Sequence, residues 1–481
     1  MYILLLLVSF LSALQYCVAA TASEWRGRSI YQIMTDRFAR SDGSSTAPCD
    51  PNDRVYCGGT WIGIINQLPY IQRMGFTAIW ISPVSEQLSG NTYEGYAYHG
   101  YWTKDLYALN SNFGTEQDLK DLVDAVHNLG MYIMVDIVMN HFANKGEHID
   151  YSVLRPFNEQ RFYHPLCNID WGNQSSIEHC WMGNGYVALP DCNTEDPYVV
   201  ETLIQYTIYL VSTFKIDGLR LDAARNIRKS FWADFSKRVG VYCQGEVWSG
   251  EPDIICPYQG YMDGLHNYPV KESATRALTT SNGNMGELSY IPGKMQERCK
   301  DVTLFGTFME NHDNPRMASL TTDMSRLKNT AVMSILPDGI PIVFYGQEQA
   351  LTGANDPANR QALWPTRYSD NELVSTFTLL NQLRNFLGES YTTVLGRWSL
   401  VSNSVVSMHK GPVMVVLTNS GKGVSTDADI VGLDAYSDLV DVMTCQEVRC
   451  DGTGKVKITL NGDPMVLCPK SILSGSGICG M

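Results

Sequence analysis

Apolar, β-branched runs recur along most of the chain, and each is followed by polar residues and then by a stretch with helical periodicity. Seven such runs are SIYQIMTDRF, FTAIWISPV, MYIMVDIVMNH, IDGLRLDAAR, GVYCQGEVW, TLFGTFMENHDNP and GIPIVFYGQEQ. The intervening segment TEQDLKDLVDAVHNLG places Leu119, Leu122, Val123 and Val126 at helical spacing and then has Gly130, which suits a helix end. Strands that alternate with helices predict βαβ units and a parallel sheet.

The number of these runs favours a closed barrel over an open sheet. Seven or eight strands over about 370 residues are typical of a (β/α)8 TIM barrel, whose catalytic residues lie at the C-terminal ends of the strands. Polar residues follow the apolar runs at those ends: Asp36, Asp136, Asn140, His141, Asp222, Glu246 and Asp313. The pattern therefore predicts which face of the barrel is active.

Two regions depart from a bare barrel. From about residue 142 to 194 the chain is loop-like, aromatic and rich in Asn, and it is too long for an ordinary loop. After about Gly396, short alternating runs such as SVVSMHK and PVMVVLTN are separated by Gly-containing turns. We predict a barrel formed by residues 21–141 and 195–395, a subdomain at 142–194 inserted after the third strand, and a C-terminal antiparallel β-sandwich at 396–481.

The first 20 residues, MYILLLLVSFLSALQYCVAA, contain no charge and end in small side chains. They predict a secretory signal peptide, cut after Ala20 or Ala22. Because no Lys or Arg precedes the apolar stretch, an uncleaved membrane anchor is the alternative. No later run reaches the ~18 apolar residues of a membrane-spanning helix, and SGSGICGM at the C-terminus lacks the tail of a lipid anchor signal. We expect a secreted protein.

The charge composition bears on which class of molecule the protein binds. The formal net charge of −14 and the pI near 5.1 argue against nucleic acid. An uncharged polymer or a small solute fits better. Ten Trp and 26 Tyr exceed what a core needs, and aromatic rings serve as stacking platforms in sugar clefts, although core and surface packing accounts for most of them.

Cysteine usage agrees with an oxidising compartment. Thirteen Cys are present, and twelve remain once Cys17 is removed with the signal peptide. Cys49 and Cys57 bracket one short loop, and Cys167 and Cys180 bracket another. No spacing has the form of a zinc site. Asn173, in NQSS, is an N-glycosylation sequon.

The stretch GLRLDAARN places Arg220 and Asp222 on one face of a strand, because residues two apart share a face. An ion pair that fixes strand register is one interpretation. The other is chemical, because cleavage of a glycosidic bond needs one carboxylate and one protonated carboxylic acid. A neighbouring Arg keeps the first ionised. Glu246 and Asp313 at neighbouring strand ends favour the chemical interpretation.

The motifs DIVMNH, GLRLDAARN, GEVW and ENHDNP resemble, in order, the four conserved regions of the α-amylase family, family 13 of the glycoside hydrolases. YQIMTDRFAR, YCGGTW, GFTAIWISPV, YAYHGYW and NDPANR resemble the fungal secreted members. The resemblance runs from about Trp25 to Cys479 and is weakest in the C-terminal region. It implies an α-amylase with retaining endo-hydrolysis of α-1,4-glucosidic bonds in starch or glycogen.

The resemblance also implies roles for individual residues. Asp222 corresponds to the catalytic nucleophile, Glu246 to the general acid/base, and Asp313 to the acid that binds sugar hydroxyls and stabilises the transition state. The implied substrate-binding residues are Arg220, His141, His312, Tyr98, Trp102, Arg225, Asp356 and Arg360.

A Ca²⁺ site and a set of disulfides are implied in the same way. The ligands would be Asn140, Glu178 and Asp191 with the backbone carbonyl of Asn226, and such hard oxygen ligands suit calcium; ordinary surface carboxylates are the alternative for Glu178 and Asp191. The implied bridges are Cys49–Cys57, Cys167–Cys180, Cys256–Cys299 and Cys445–Cys479. Cys450–Cys468 would be an extra bridge, and Cys192 and Cys243 are expected to be free thiols.

The chain departs from the family on the acceptor side of the cleft. Arg225-Asn226 stands where fungal members usually have Lys-His, and Trp248-Ser249 stands where Leu-Asp is common. A better-held acceptor sugar would convert the same chemistry into transglycosylation, so a 4-α-glucanotransferase acting on cell-wall α-glucan is the alternative. A catalytically inactive binding protein is disfavoured by the intact acids. We expect a monomer that acts on an α-glucan, secreted or associated with the cell wall, without a nucleic-acid partner.

Overall fold

The computed structural model describes residues 20–481, so the signal-peptide prediction lies outside the described residues except for Ala20. The larger domain contains eight short strands that form the barrel sheet. In chain order they are β1 (Ile30–Ile33), β2 (Ala78–Ile81), β3 (Tyr132–Ile137), β4 (Gly218–Leu221), β5 (Tyr242–Gly245), β6 (Gly264–Leu265), β7 (Gly306–Phe308) and β8 (Ile340–Phe344). Within residues 20–481, no helix is both long and apolar enough to cross a membrane.

The eight strands are parallel and form a closed ring. Their order in the sheet is β6-β5-β4-β3-β2-β1-β8-β7. A further parallel bridge joins His266, directly after β6, to Gly306 at the start of β7, and this bridge closes the barrel. The predicted (β/α)8 fold is confirmed. Closure brings all eight C-terminal strand ends to one face.

Helices cover the outside of the barrel. The helix predicted from Leu119, Leu122, Val123 and Val126 is formed, and those four side chains are its buried face. Thr115 begins it with a capping box. The longer helices are Trp61–Arg73, Glu116–Asn128, Pro197–Phe214, Lys229–Val239, Tyr268–Leu278, Met285–Arg298, Met324–Ile335 and Glu372–Leu387. Shorter ones are Ala22–Arg26, Thr35–Phe38, Gln174–His179, Pro252–Ile255, Met317–Leu320 and Glu389–Thr392.

Two excursions rise above the C-terminal face. After β2, the strands Ser85–Gln87 and Thr103–Leu109 form an antiparallel pair. After β3, the strands Asn144–Lys145, Met182–Gly183 and Val187–Leu189 form a three-stranded sheet, and the disulfide Cys167–Cys180 joins two loops beside it. The long segment after β3 therefore folds around a small sheet of its own.

The C-terminal region is antiparallel, as predicted. Six strands form one sheet and two more form a separate pair: Arg397–Ser402, Val405–Lys410, Val413–Thr418, Asp438–Asp441, Glu447–Arg449 and Met465–Pro469, with Thr426–Ile430 and Val456–Leu460. Alternate side chains face different cores. Val405 and Met414 pack against the strand pair, whereas Val406, Val413 and Val415 join the apolar core that extends from the barrel.

Four disulfides are formed: Cys49–Cys57, Cys167–Cys180, Cys256–Cys299 and Cys445–Cys479. They are the pairs that the family resemblance implied. Cys192 and Cys243 are free and buried, as expected.

The extra bridge between Cys450 and Cys468 is absent, and both thiols are free and buried. The strand Asp438–Asp441 lies between the strands that carry or precede these two residues. Each strand adds about 4.7–4.9 Å, so the separation exceeds the ~7 Å limit between Cα atoms for a disulfide. The two thiols also belong to different apolar cores, on opposite faces of the sheet.

Candidate active site

Three carboxyl groups lie at the C-terminal face of the barrel. Asp222 directly follows β4, Glu246 directly follows β5, and Asp313 lies in the loop after β7. Asp222 and Glu246 are each 8% exposed. Because these strand ends meet at one edge of the closed sheet, the fold brings together acids that are far apart in sequence.

Arg220 is the cation that organises two of these acids. Its Nη1 donates to Oδ1 of Asp222 at 2.7 Å, and its Nη2 lies 2.7 Å from Oε1 of Glu246. Nη1 also donates to both carboxylate oxygens of Asp136, at 3.0 and 3.1 Å. Arg220 is buried, so three carboxyl groups share one desolvated guanidinium.

The charges in this cluster do not balance if every group is ionised. Burial raises the pKa of Asp222 well above its usual value, and the nearby Glu246 and Asp136 add to that rise, whereas Arg220 opposes it. Burial likewise raises the pKa of Asp136. The sequence argument expected Arg220 to keep Asp222 ionised; in the structure, the cluster of three acids and one cation favours retaining a proton. One proton shared among neighbouring carboxyl groups is what acid/base chemistry needs.

Asp136 has two further neighbours that the sequence argument did not identify as part of the site. Tyr101 donates its hydroxyl to Oδ2 at 2.7 Å, and Trp80 donates Nε1 to the same oxygen at 3.3 Å. The guanidinium of Arg220 also lies over both rings, 5.4 Å from that of Trp80 and 5.7 Å from that of Tyr101. These contacts hold the acid that in turn holds Arg220.

Asp313 has a different electrostatic environment. His312 Nε2 lies 3.1 Å from Oδ2, and Arg360 Nη2 donates to Oδ1 at 3.4 Å. Although burial opposes them, His312 and Arg360 lower the pKa of Asp313 below its usual value. Gln32 of β1 contacts Nδ1 of His312 at 3.1 Å and fixes the ring. Asp313 is therefore an ionised carboxylate, with its side chain 26% exposed to the cleft.

His141 is buried beside this network. Its Nε2 lies 3.1 Å from the carbonyl of Tyr101, so that nitrogen carries the proton. Burial lowers the pKa of His141 to about 4. A neutral ring is suited to hydrogen bonding with an uncharged sugar.

The remaining predicted substrate-binding residues surround the acids at different depths. Tyr98 is buried, with the guanidinium of Arg37 4.0 Å from its ring centroid. Trp102 is partly buried and packs on Val187 and Leu189 of the inserted sheet. Asp356 is half exposed and pairs with Arg360 at 3.1 Å, which links it to Asp313.

Asp36 is a strand-end acid that does not join the site. Its carboxylate accepts from the backbone of Cys57 at 2.8 Å and of Gly58 at 3.1 Å, and Arg37 pairs with it at 3.1 Å. Burial raises its pKa to about 7. Asp36 therefore anchors the disulfide loop Cys49–Cys57.

A pocket of about 410 Å³ lies on one side of Glu246. Arg225 lines it, with Nη1 3.4 Å from the carbonyl of Trp248, and the Asn226 amide donates to the carbonyl of Ile177 at 3.3 Å. Trp248 stacks on Tyr268 with ring centroids 5.4 Å apart and remains 48% exposed. The lining residues are Trp171, Met182, Ala223, Arg225, Asn226, Glu246 and Trp248. Trp171, Met182 and Tyr268 were not identified from sequence, because no motif marks them.

The predicted calcium ligands come from three segments that contact one another. Asn140 accepts through its carbonyl from the backbone N–H of Cys192 at 2.8 Å, which places it beside Asp191. Glu178 lies on the helix Gln174–His179, whose Gln174 donates to the carbonyl of Arg225 at 3.0 Å. These bonds connect the inserted segment to the turn that carries Asn226.

The side chain of Asp191 fits a cation. Its Oδ1 is buried and makes no hydrogen bond within residues 20–481. Burial raises the pKa of Asp191 to about 7, against the lowering effect of the hydrogen bond from His164. A buried carboxylate oxygen that lacks a hydrogen-bond donor suits a hard cation such as Ca²⁺.

Comparisons with known proteins agree with this arrangement. The family model described as "Alpha amylase, catalytic domain" matches residues 32–378, and the one described as "Alpha-amylase, domain C" matches residues 400–481. An α-amylase of Schizosaccharomyces pombe is 43% identical, over 98% of this chain and 93% of the relative. An α-amylase of Lipomyces kononenkoae is 46% identical, over 96% of this chain and 76% of the relative. The solved structure of an α-amylase from Malbranchea cinnamomea superposes with a TM-score of 0.94 at 43% identity, covering 96% of this chain and 100% of that chain.

Proposed function

The chain belongs to the α-amylase family, family 13 of the glycoside hydrolases, and from that premise we propose that it cleaves internal α-1,4-glucosidic bonds of starch- and glycogen-type glucans with retention of configuration. The observation that carries this proposal is Arg220, which contacts Asp222 and Glu246 at 2.7 Å each. Two carboxyl groups bound by the two terminal nitrogens of one guanidinium are held close together, which favours the retaining mechanism, in which the separation is about 5–5.5 Å. Inverting enzymes need a separation of about 6.5–9.5 Å.

In the first step, a carboxylate oxygen of Asp222 attacks C1 of the sugar on the donor side. The bond between C1 and the glycosidic oxygen breaks, and Glu246 gives its proton to that oxygen. Tyr268, which donates to Oε1 of Glu246 at 3.1 Å, and the backbone N–H of Ala223, at 3.2 Å from Oε2, orient the carboxyl group. The product is a covalent glycosyl-enzyme and a shortened glucan with a free 4-hydroxyl.

In the second step, water attacks C1 and Glu246 takes its proton. The bond between C1 and Asp222 breaks, which restores both carboxyl groups. The low pKa of Asp313 keeps that side chain anionic throughout. A fixed negative charge beside the ring stabilises the oxocarbenium-like transition state of both steps.

Two histidines and an aromatic ring bind the sugar at the cleaved position. We assign His141 and His312 to hydroxyl contacts and Tyr98 to stacking, with Trp102 beside it. Asp356 and Arg360, paired at 3.1 Å, hold the donor chain farther out. Arg225 and Trp248 line the acceptor side, next to Glu246.

We assign a resident Ca²⁺ to Asn140, Glu178, Asp191 and the carbonyl of Asn226. The unbonded Oδ1 of Asp191 supports this assignment. The ion supplies a positive charge that holds the inserted segment against the turn after β4. Because Asn226 lies four residues after Asp222, that turn also positions the nucleophile.

Secretion is part of the proposal. Four disulfides support folding in an oxidising compartment. Asn173 is exposed, and we propose it as the site of an N-linked glycan. We propose a monomeric extracellular enzyme that acts on soluble or wall-associated glucan.

Transglycosylation is not favoured. The relatives that match this chain over nearly its whole length are named α-amylases. The changed acceptor residues alter the pocket beside Glu246 but leave the three acids in place.

The test follows the products from maltoheptaose over time. Hydrolysis predicts one new reducing end for each bond cleaved, with products shorter than the substrate and the α-anomer formed first. Products longer than maltoheptaose, with few new reducing ends, would contradict hydrolysis, and initial release of the β-anomer would contradict retention. Returning Asn226 to His is the matched variant, and it should shift the product pattern only if the acceptor side controls transfer.

A further inference from the structure

Two histidines and a glutamate outside the catalytic cleft form a compact cluster on the inserted segment. His164 Nε2 lies 2.5 Å from Oε2 of Glu195, and His179 Nε2 lies 3.7 Å from Oε1 of the same carboxylate. One ligand atom from each residue lies within 4.8 Å of the others. None of these residues belongs to the acids, to the sugar-binding set or to the proposed calcium ligands.

We propose that His164, His179 and Glu195 form a second metal site, selective for a borderline transition-metal ion such as Zn²⁺ rather than for calcium. Two imidazole nitrogens and one carboxylate are a donor set that binds zinc, with water in the fourth position. Calcium prefers oxygen ligands alone. The two sites would therefore take different ions although they are adjacent.

The hydrogen bonds made by Nδ1 of each ring turn Nε2 toward Glu195. Nδ1 of His164 lies 2.6 Å from Oδ2 of Asp191, and Nδ1 of His179 lies 2.6 Å from the carbonyl of Ser175. Because a carbonyl and a carboxylate only accept, each Nδ1 carries a proton. Both Nε2 atoms face Glu195, and each supplies a lone pair to a metal once any proton on it is displaced. Metal-binding histidines are oriented in this way.

The backbone holds the three side chains before any ion arrives. The N–H of His164 donates to the carbonyl of Asp191 at 2.9 Å, and Trp181 Nε1 donates to the carbonyl of His164 at the same distance. His179 directly precedes Cys180, which is bonded to Cys167. The backbone N–H of Glu195 donates to the side chain of Asn193 at 3.1 Å.

The cluster is also open to an entering ion. The side chains of His179 and Glu195 are 41% and 40% exposed, whereas that of His164 is 8% exposed. The buried ring forms the floor of the site, and the other two ligands reach it from solvent. A metal ion would replace the proton that otherwise links His164 to Glu195, so small rotations suffice to complete the site.

Arg228 is the one opposing charge nearby in the described chain. Its Nε lies 3.6 Å from Oε1 of Glu195. Oε2, on the side of His164, remains available to a metal. Arg228 should therefore weaken metal binding without abolishing it. Removing its charge should strengthen metal binding, which is the opposite of the effect expected for the ligand variants.

The test titrates the full-length, calcium-saturated protein with Zn²⁺ by calorimetry, and with Co²⁺ by visible absorption. We expect one saturable Zn²⁺ site that added calcium does not displace. His179→Gln and Glu195→Gln should each weaken Zn²⁺ binding by at least about tenfold. Arg228→Gln should strengthen it, and His148→Gln, at an exposed histidine of the same segment, should leave it unchanged.

Four results would overturn the proposal. They are no saturable Zn²⁺ binding, competition between Zn²⁺ and calcium for one site, unchanged affinity in both His179→Gln and Glu195→Gln, and an equal loss in His148→Gln. Circular dichroism checks that each variant is folded. Because the side chain of His179 is 41% exposed, that variant keeps the test decisive if Glu195→Gln is unstable.

Discussion

Arg220 connects the reactive acids to the rest of the barrel. It contacts Asp136, Asp222 and Glu246, and it is buried with them. Removing one member of such a cluster changes the charge felt by the others, because desolvated charges interact strongly. Substitutions here should therefore alter the pH dependence of the reaction as well as its rate.

Asp222→Asn should lower kcat on maltoheptaose by roughly four orders of magnitude, because the amide cannot form the glycosyl-enzyme. The amide can still accept from Arg220, so the variant should fold and bind substrate. Single-turnover kinetics and circular dichroism measure the two effects. Turnover within tenfold of the parent enzyme would refute the assignment of the nucleophile.

Asp136→Asn should move the acidic limb of the kcat/KM profile to lower pH. The carboxylate of Asp136 raises the pKa of Asp222, so its removal lowers that pKa and the nucleophile stays ionised in more acidic solution. Arg220 would also have one fewer carboxylate to neutralise, which acts in the same direction.

The control is Asp263→Asn at the opposite end of the barrel, where Asp263 accepts from the backbone N–H of Cys243 at 2.9 Å. This variant should leave the limb in place. If the limb of Asp136→Asn moves to higher pH, the charge coupling described here is wrong.

Motifs predicted the acids but not their supports. Asp222, Glu246 and Asp313 interrupt or follow apolar runs, and this pattern is visible in sequence. Tyr101, Trp80 and Tyr268 act through contacts that closure of the barrel creates, 35, 56 and 22 residues away from their partners. The spacing of residues in the sequence does not predict such non-local contacts.

At the level of elements, the strand ends and the segment after β3 both contribute residues to the proposed active site. The barrel fixes the acids, whereas the inserted segment supplies two of the four proposed calcium ligands and one wall of the acceptor pocket. Hydrogen bonds such as that from Gln174 to the carbonyl of Arg225 connect the segment to the turn after β4. An ion between the two should therefore matter for both stability and activity.

Chelation of calcium should lower the thermal midpoint and kcat together. A ligand that binds only the folded state adds about 2.7 kcal/mol when its free concentration is about 100 times Kd. Asp191→Asn should abolish the calcium-dependent rise in thermal midpoint, and Asp170→Asn, in an exposed loop of the same segment, should not. Scanning calorimetry with and without chelator makes the comparison. An unchanged midpoint in the parent protein would contradict the proposed site.

The sequence pattern predicted seven of the eight barrel strands. β6 is only two residues long, Gly264–Leu265, and it lies between Asp263 and His266 without an apolar run. Pairing with β5 and the bridge from His266 to Gly306 define it as a strand, and both are non-local. The helix Glu116–Asn128 was predicted well because its periodicity and its cap are local.

At the scale of the whole molecule, one face of the C-terminal sheet belongs to the barrel's core. Lys410 pairs with Asp338 at 3.0 Å and donates to the carbonyl of Pro337, and both charged side chains are buried. The Thr418 N–H donates to Asn329 at 2.9 Å. The alternating runs predicted a β domain, but they could not predict that one face of its sheet would pack against the barrel.

Lys410→Ala should lower the free energy of unfolding by about 3–5 kcal/mol, because it removes the cation that pairs with the buried Asp338. Barrel and sheet should still unfold in one transition, and loss of activity should coincide with it. Lys457→Ala, at an exposed position on the strand Val456–Leu460, is the control and should change stability little. Two separate unfolding transitions in calorimetry, with activity lost in only the first of them, would contradict a shared core.

The four buried thiols limit how long the folded enzyme lasts in an oxidising medium. Cys192, Cys243, Cys450 and Cys468 are shielded from the four disulfides while the chain is folded. Once it unfolds, thiolates can attack those bonds and exchange partners faster than the chain refolds. Heat damage should thus be permanent, with the working lifetime of the enzyme set by its rate of unfolding.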